Sequence, residues 1–333
     1  MTAAGIVIIG RNEGERLARC IQSVLASGAR NLVYVDSGST DQSVWVARSL
    51  GAEVIRLDPR IPFSAARARN EGFAALLQAN PELQVVQFID GDCELQPGWL
   101  AAAGRFLAEH PEAAVVCGRR RERFPDASVY NWLCDVEWDA KVGEIEWCGG
   151  DFLVRPKVFA TVRGFDESFV AGEEPELCRR ISATGQTLWR LQLPMTIHDA
   201  AITAFSAWWR RSVRTGFAWA TTAWTYRQQA VIPGAREQRR AWLWTMILPC
   251  TAAGAILISP WFLTLLSAYI LQLLRIAWRS RRCGARRAVL LATFTCIAYF
   301  AQSQGSLRFH VSRLMRRRPM VIEYKSAASA EVV

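Results

Sequence analysis

Residues Val85 to Glu94 read V-V-Q-F-I-D-G-D-C-E, an apolar-rich run that ends in two aspartates separated by one glycine. A short apolar run without polar alternation fits a strand buried on both faces of a parallel sheet. Asp90 and Asp92, as extended i, i+2 neighbours, could both face one hard cation, and Gly91 leaves room for a phosphate oxygen to approach the backbone. Carboxylates at the carboxyl end of a parallel strand lie where open α/β sheets take their ligands. Oxygen ligands of this kind suit Mg²⁺ or Mn²⁺ together with a diphosphate. A surface turn is the competing reading, because Asp-Gly is also a common turn pair.

The chain around this stretch alternates strands and helices. Ile6–Ile9 reads as a short buried strand, and Leu32–Asp36 and Glu53–Leu57 as a second and a third strand. Glu15–Ser27 repeats Leu17, Ile21, Val24 and Leu25 at helical spacing. Residues 42–50 form a second helix, and Ser64 caps a third that runs through Leu77. A fourth helix follows Pro97. This order implies βαβ units and a mostly parallel sheet flanked by helices. No G-x-G-x-x-G follows the first strand, which argues against an ordinary dinucleotide fold. Residues 118–150 are irregular, polar and aromatic.

Charge divides the chain sharply. Residues 1–235 carry 25 Lys/Arg and 27 Asp/Glu; residues 236–333 carry 15 and 3. The whole basic excess therefore lies in the last third, interleaved with apolar runs, a pattern that points to a membrane surface and away from nucleic acid. Half of the chain is hydrophobic and its mean hydropathy is +0.08. Nine cysteines without C-x-x-C spacing argue against a zinc site or a disulfide framework and for a reducing compartment. The N-terminus enters an apolar strand without a basic or long apolar leader, so no secretory signal is expected.

The segments VIIGRNEGERLARCIQSV, VDSGSTD, ARNEG, FIDGDCE, GGDFLVR, GFDE and GEEPEL occur in this order. Together they resemble the family 2 glycosyltransferases, inverting enzymes with a GT-A fold, over roughly residues 5 to 220. The resemblance implies a catalytic domain over 1–235, with a nucleotide-binding half (1–117) and an acceptor-binding half (118–235). It implies a nucleoside-diphosphate sugar as donor and a glycan or lipid-linked hydroxyl as acceptor. Asp92 would hold the metal, Mg²⁺ or Mn²⁺, with Asp90 beside it or by the ribose. Asp36 would read the nucleotide base, although it is also suited to capping a turn. Ser37 replaces an aspartate that the family often has, so the base itself stays open. Arg69 would lie near base and diphosphate; Asn12 and Ser39, in the turns after the first two strands, complete the donor set.

An inverting transfer needs a base for the acceptor hydroxyl. Glu174 occupies the place of the family's usual aspartate, with Glu173 and Glu176 as rivals; all three also suit the first turn of a helix. His198, beside Asp199, is a candidate metal or diphosphate ligand. The stretch Ala207–Trp219, rich in tryptophan and arginine, would suit an acceptor phosphate or a membrane surface. It lacks Q-x-x-R-W, which implies a single transfer per encounter.

Residues 241–274 carry no charge and are flanked by arginines. One crossing needs about 20 apolar residues, so the run is expected to form a tight transmembrane hairpin with both ends, and the catalytic domain, in the cytosol. Ala288–Leu307 turns polar at Gln302-Ser303-Gln304 and reads as an interfacial segment. Residues 236–333 are thus expected to be a hydrophobic helical membrane region touching lipids at the cell membrane. Two other functions fit parts of the pattern: a nucleotidyltransferase that makes sugar nucleotides, and a membrane-bound protein that binds them without catalysis.

Overall fold

Strands that read as apolar runs between turn signals form the first half of the sheet, buried in its inner members and partly exposed in the edge strand over Glu53–Arg56. They are β1 (Ala4–Gly10), β2 (Asn31–Asp36), β3 (Glu53–Arg56) and β4 (Val85–Asp90), joined through the helices α1 (Glu15–Ala26), α2 (Ser43–Ser49) and α3 (Ala65–Ala79). The computed structural model describes residues 4–229, 233–256 and 259–316, and divides the chain into two units, 1–203 and 204–333. The first unit therefore ends before the expected boundary at 235/236.

Within the first unit, β5 (Cys93–Leu95), α4 (Trp99–Glu109), β6 (Ala113–Glu122), α5 (Val129–Trp138), β7 (Gly143–Glu144), β8 (Phe152–Val154), α6 (Pro156–Thr161), α7 (Glu173–Ser182) and β9 (Thr187–His198) follow in order. The sheet runs β3-β2-β1-β4-β8-β6-β9-β5, with β7 pairing β9. Its first half is parallel as expected. Its second half is mixed: β8 is antiparallel to β4 and β6, and β9 is parallel to β6 but antiparallel to β5 and β7. The expectation of a mostly parallel sheet therefore holds only for β1 to β4.

Side chains explain the close layering. The sheet-facing Gly72 of α3 leaves no room for a Cβ, which would come within 2.5 Å of Val7 and 2.8 Å of Val35. Bringing α3 down onto β1 and β2 requires that vacancy. Below it, Phe88 of β4 meets Phe152 and Phe159 at ring separations of 5.2 Å, and Phe165 edge-on at 5.8 Å. Ser64 caps α3 as expected, accepting from the Arg67 backbone N–H at 3.1 Å. Arg67 itself is buried and holds the preceding loop through Asp58 O and Ile61 O, which makes it a structural residue.

Register sets up the site. Gly10 pairs with Asp36, and Ile9 pairs with Asp90. The ends of β1, β2 and β4 therefore lie side by side at one sheet edge.

The second unit is helical: α8 (Phe205–Thr225), α9 (Ala235–Trp242), α10 (Leu248–Ile256), α11 (Ser267–Arg279) and α12 (Ala285–Leu314). α8 and α12 cross at glycines, since a Cβ at Gly216 would lie 1.9 Å from Gln302 O and one at Gly305 1.9 Å from Val213 O. The polar triplet 302–304 is therefore no break; it lies inside α12 and faces neighbouring helices. Gln304 accepts from Trp209 Nε1 at 2.8 Å, and Ser303 Oγ lies 2.6 Å from Thr245 Oγ1. Trp208 is buried edge-on to Phe294 at 5.2 Å, so this tryptophan serves packing.

The uncharged run is divided among several short pieces. A π-helical turn (Leu243–Ile247) precedes Pro249 in α10, and a 3₁₀ segment (Pro260–Leu266) leads into α11. Proline lacks the N–H that a continuous helix needs, and the wider turn before it absorbs the mismatch. Among the described residues no helix is long and apolar enough to cross a membrane, so the transmembrane hairpin expected over 241–274 is not found. Residues 257 and 258 of that run, and 317–333 of the expected membrane region, lie outside the described residues.

Candidate functional site

Two turns at the sheet edge clasp each other. Asn12, in the left-handed region with φ 55°, accepts from the Thr40 N–H through Oδ1 at 2.7 Å, and its own N–H donates to Ser39 Oγ at 2.9 Å. Asparagine tolerates that backbone conformation better than other side chains. Asp36 is fully buried; its Oδ2 accepts from the Gly38 and Ser39 N–H groups at 3.1 and 3.0 Å, and Tyr34 donates to Oδ1 at 3.2 Å. Burial and the neighbouring Asp36 push the Tyr34 phenol up, which keeps it a donor. Asn12, Ser39 and Asp36 are thus brought together, and Asp36 organises the turn.

A chain of charges runs beside them. Arg69, on α3 and 3% exposed, donates to Asp90 Oδ1 at 2.8 Å and to Glu173 Oε1 at 3.1 Å. Its guanidinium also lies 5.4 Å over the Phe165 ring. Burial opposes its charge, but Asp90, Glu173 and Asp151 outweigh that effect, so its pKa lies above the ordinary value. Arg120, from β6, pairs with Asp151 Oδ2 at 2.8 Å and approaches Asp90 Oδ2 at 3.7 Å. It is half-buried, and its pKa is raised, chiefly by Asp151 against the effect of desolvation. Asp151, fully buried, accepts from the Asp90 N–H at 3.0 Å and from Thr196 Oγ1 at 2.8 Å. Gly150 permits this arrangement, since a Cβ there would lie 2.8 Å from Arg69 Nη2 and 3.0 Å from Asp90 Oδ2.

Asp92 belongs to a second cluster. The antiparallel register of β5 on β9 sets Cys93 opposite His198, and His198 Nε2 lies 3.2 Å from Asp92 Oδ2. Both residues are buried. On its other side, His198 Nδ1 faces Glu122 Oε2 at 3.8 Å, and Trp138 stands edge-on to the imidazole at 4.7 Å. Two neighbouring ligands of an octahedral ion with bonds of about 2.1 Å sit about 3 Å apart, so Asp92 and His198 fit a shared Mg²⁺ or Mn²⁺. At 3.8 Å Glu122 is too far to accept a hydrogen bond from Nδ1 and instead places negative charge behind the imidazole. Cys93 lies in the same cluster, but burial and then Asp151 hold its thiol well above the usual range. Sulfur is a soft ligand poorly suited to Mg²⁺ or Mn²⁺, which leaves Asp92 and His198 as the metal pair.

The two aspartates of the D-G-D stretch therefore take different partners: Asp90 is turned to the arginines and Asp92 to His198. Gly91 has no open face for a phosphate. A Cβ there would meet Ile9 O at 3.2 Å and Glu13 Cγ at 3.3 Å, and the Gly91 N–H donates to Ile9 O.

The acidic helix start separates its three glutamates. Gly172, with φ 81°, turns the chain into α7. Glu173 joins Arg69. Glu174 Oε1 accepts from the Cys148 N–H at 2.6 Å and from Cys178 Sγ at 3.1 Å. Glu176 is spent on Arg180, at 2.6 and 2.7 Å. Cys148 and Cys178 lie with sulfurs 3.5 Å apart, and burial pushes the Cys178 thiol up to about 11.

Sequence reasoning missed Arg120, Asp151, Glu122 and Trp138. The segment GGDFLVR contains the signal for Asp151, a lone acid opening an apolar strand. Nothing local marks Arg120, because the register of β6 on β9, which sets it opposite Thr196, carries it to the site.

The fold is shared with solved glycosyltransferases at low identity. Mannosyltransferase PcManGT from Pyrobaculum calidifontis, solved with GDP-Man and Mn²⁺, is 17% identical with a TM-score of 0.54, over 94% of this chain and 87% of that one. Glucosyl-3-phosphoglycerate synthase from Mycobacterium tuberculosis, solved with Mg²⁺ and UDP, is 18% identical over 66% of this chain and 78% of that one, with a TM-score of 0.49. TarS from S. aureus is 15% identical with a TM-score of 0.45; the match covers 64% of this chain and spans 39% of the length of TarS. Residues 5–145 match the family model of glycosyl transferase family 2.

Proposed function

We propose that the protein is an inverting glycosyltransferase that moves one sugar from a nucleoside-diphosphate sugar to a hydroxyl of a glycan or lipid-linked acceptor, at the cytosolic face of the cell membrane. The observation that carries this reading is the pairing of Asp92 with His198 beside the Glu173–Arg69–Asp90 chain at the carboxyl edge of β4. Four carboxylates (Asp90, Asp92, Asp151 and Glu173) there face two guanidiniums, so an anionic diphosphate is repelled until a divalent cation balances the excess. Asp92 and His198 would hold Mn²⁺ or Mg²⁺, which when bound supplies Lewis-acid stabilisation of the charge growing on the departing diphosphate. The match to the family model and the GDP-Man and Mn²⁺ complex of the similarly folded PcManGT support that donor and that metal class.

The turns built by Asn12, Asp36 and Ser39 offer a rigid rim for base and ribose. Arg69 holds Asp90 fixed, so that the carboxylate does not swing as the donor enters. Glu174 is our choice of base. Its contacts with Cys148 and Cys178 are to neutral donors, whereas the charge of Glu173 is balanced by Arg69. The proton of the attacking hydroxyl passes to Glu174 as the acceptor oxygen bonds the anomeric carbon and the nucleoside diphosphate leaves.

A donor screen tests the reading. Purified protein is incubated with individual nucleoside-diphosphate sugars and Mn²⁺ or Mg²⁺, and released products are resolved by anion exchange. Nucleoside diphosphate with one donor is expected. Pyrophosphate, formed from a nucleoside triphosphate and a sugar phosphate, would instead identify a nucleotidyltransferase. Silence with every donor would leave a non-catalytic binder.

A further inference from the structure

α11 is built inside out. Its polar Gln272 is turned toward α12, where its amide lies 3.4 Å from the Tyr299 hydroxyl, and Tyr269 donates to Trp244 O. The opposite stripe, at i, i+1, i+4 and i+8, is Ile270, Leu271, Leu274 and Trp278, exposed by 64, 64, 57 and 69%. Trp261, just before the helix, is 80% exposed. A contiguous apolar face of this kind marks an interaction surface.

The charges around it name the occupant. Arg275 and Arg279 are exposed on the same face, and Arg281, Arg282, Arg286 and Arg287 follow at once. The Arg281 guanidinium sits 4.4 Å over the Trp278 ring, so the apolar ring and the cation share one boundary. No Asp or Glu occurs between Glu237 and Glu323. Two copies meeting on this face would set arginines against arginines with no acid to balance them. An acidic lipid surface balances them and also receives the apolar side chains. Thirteen residues make a helix about 20 Å long, short of the roughly 30 Å hydrocarbon layer.

We propose that α11 lies in the plane of an anionic phospholipid bilayer, with Ile270, Leu271, Leu274 and Trp278 inserted below the headgroups and Arg275, Arg279, Arg281 and Arg282 on the lipid phosphates. This deepens the membrane part of the proposed function and is independent of its chemistry. The exposed side chains form the membrane contact without any segment crossing.

The test uses the full chain, co-sedimented with vesicles of phosphatidylcholine alone or mixed with phosphatidylglycerol. Binding to the anionic vesicles is expected, weakening as salt screens the arginines. The triple variant Leu271→Ser/Leu274→Ser/Trp278→Ser should bind roughly a hundredfold more weakly or less, while circular dichroism and donor turnover in solution stay at wild-type values. Arg279→Gln/Arg281→Gln/Arg282→Gln should lose the preference for phosphatidylglycerol only. Absence of binding to either vesicle overturns the proposal. So does concentration-dependent self-association that the triple variant abolishes, since a second copy would then cover the face. Retention in cell membranes after carbonate washing would show a crossing segment and overturn the in-plane arrangement. Lost turnover with intact vesicle binding would count against the proposed reaction alone.

Discussion

Arg69→Met isolates the buried charge chain on which the site is built. The arginine is 3% exposed and bridges Asp90 at 2.8 Å and Glu173 at 3.1 Å, whose side chains are 28% and 11% exposed. Methionine keeps much of the apolar bulk but leaves two largely buried carboxylates without the cation that balanced them. Breaking a buried pair from one side costs about 3–5 kcal/mol. Water reaches Asp90 and Arg120 lies 3.7 Å away, so the lower half of that range applies. One kcal/mol shifts the midpoint of a unit of this size by about 2–4 °C, and a fall of roughly 6–16 °C is expected. Calorimetry and urea unfolding followed by circular dichroism measure it. Arg69→Lys should recover only part of the loss, because one ammonium cannot match a planar fork between two carboxylates. Arg60→Ala is the control: it breaks an ion pair at 2.7 Å whose arginine is exposed, and should leave the midpoint unchanged. A loss below about 1 kcal/mol for Arg69→Met, or an equal loss for Arg60→Ala, would refute the argument that burial decides.

Asp92→Asn keeps the shape but removes the charge facing His198; metal-dependent donor turnover should vanish while the melting midpoint moves by no more than a few degrees, and near-normal metal dependence would remove Asp92 from the metal site. Glu174→Gln should lower turnover by roughly 10²–10⁴-fold with donor binding little changed, as read by initial rates and donor titration; a matching loss of donor affinity would move the base to Glu173. Stability should fall in alkali. Cys178 is raised to about 11 and Cys117 to about 12 by burial, whereas an unfolded thiol titrates near 8.5. Between those values the unfolded chain releases protons that the folded one keeps. The contribution is whole below pH 8.5 and is lost as pH climbs through 11, by about 1–2 kcal/mol per thiol at pH 10. Urea midpoints that stay flat from pH 8 to 10 would contradict this.

The first half of the sheet was legible because each strand is a buried apolar run closed by a turn signal: Ile6–Ile9, Leu32–Asp36, Val85–Ile89. The second half was not, for identifiable reasons. β5 and β8 have three residues each, too few for a period to emerge. β6 passes from Ala-Ala-Val-Val-Cys into Gly-Arg-Arg-Arg-Glu, and Arg119 and Arg120 are held half-buried by acidic partners that no local pattern reveals. Helix α5 was missed because its apolar positions, Trp132 and Cys134 among them, are scattered between polar neighbours. Asp90, Asp92, Glu173 and His198 could each be picked from the chain, but not their pairing. That pairing comes from the register of β5 on β9 and from the descent of α3 onto β1. The arginine-flanked uncharged run was legible as composition; that it is cut into short pieces depends on Pro249 and on the outward face of α11.

The central claim is a metal-assisted transfer with inversion at the anomeric carbon, and the product's stereochemistry tests it most directly. With the donor found by screening, and Mn²⁺ present, proton NMR of the early reaction mixture reads the anomeric coupling of the transferred sugar. The account predicts a glycoside of configuration opposite to the donor's, formed one-to-one with nucleoside diphosphate and absent with Asp92→Asn. A product that retains the donor's configuration, or one formed at an undiminished rate by Asp92→Asn, would contradict it.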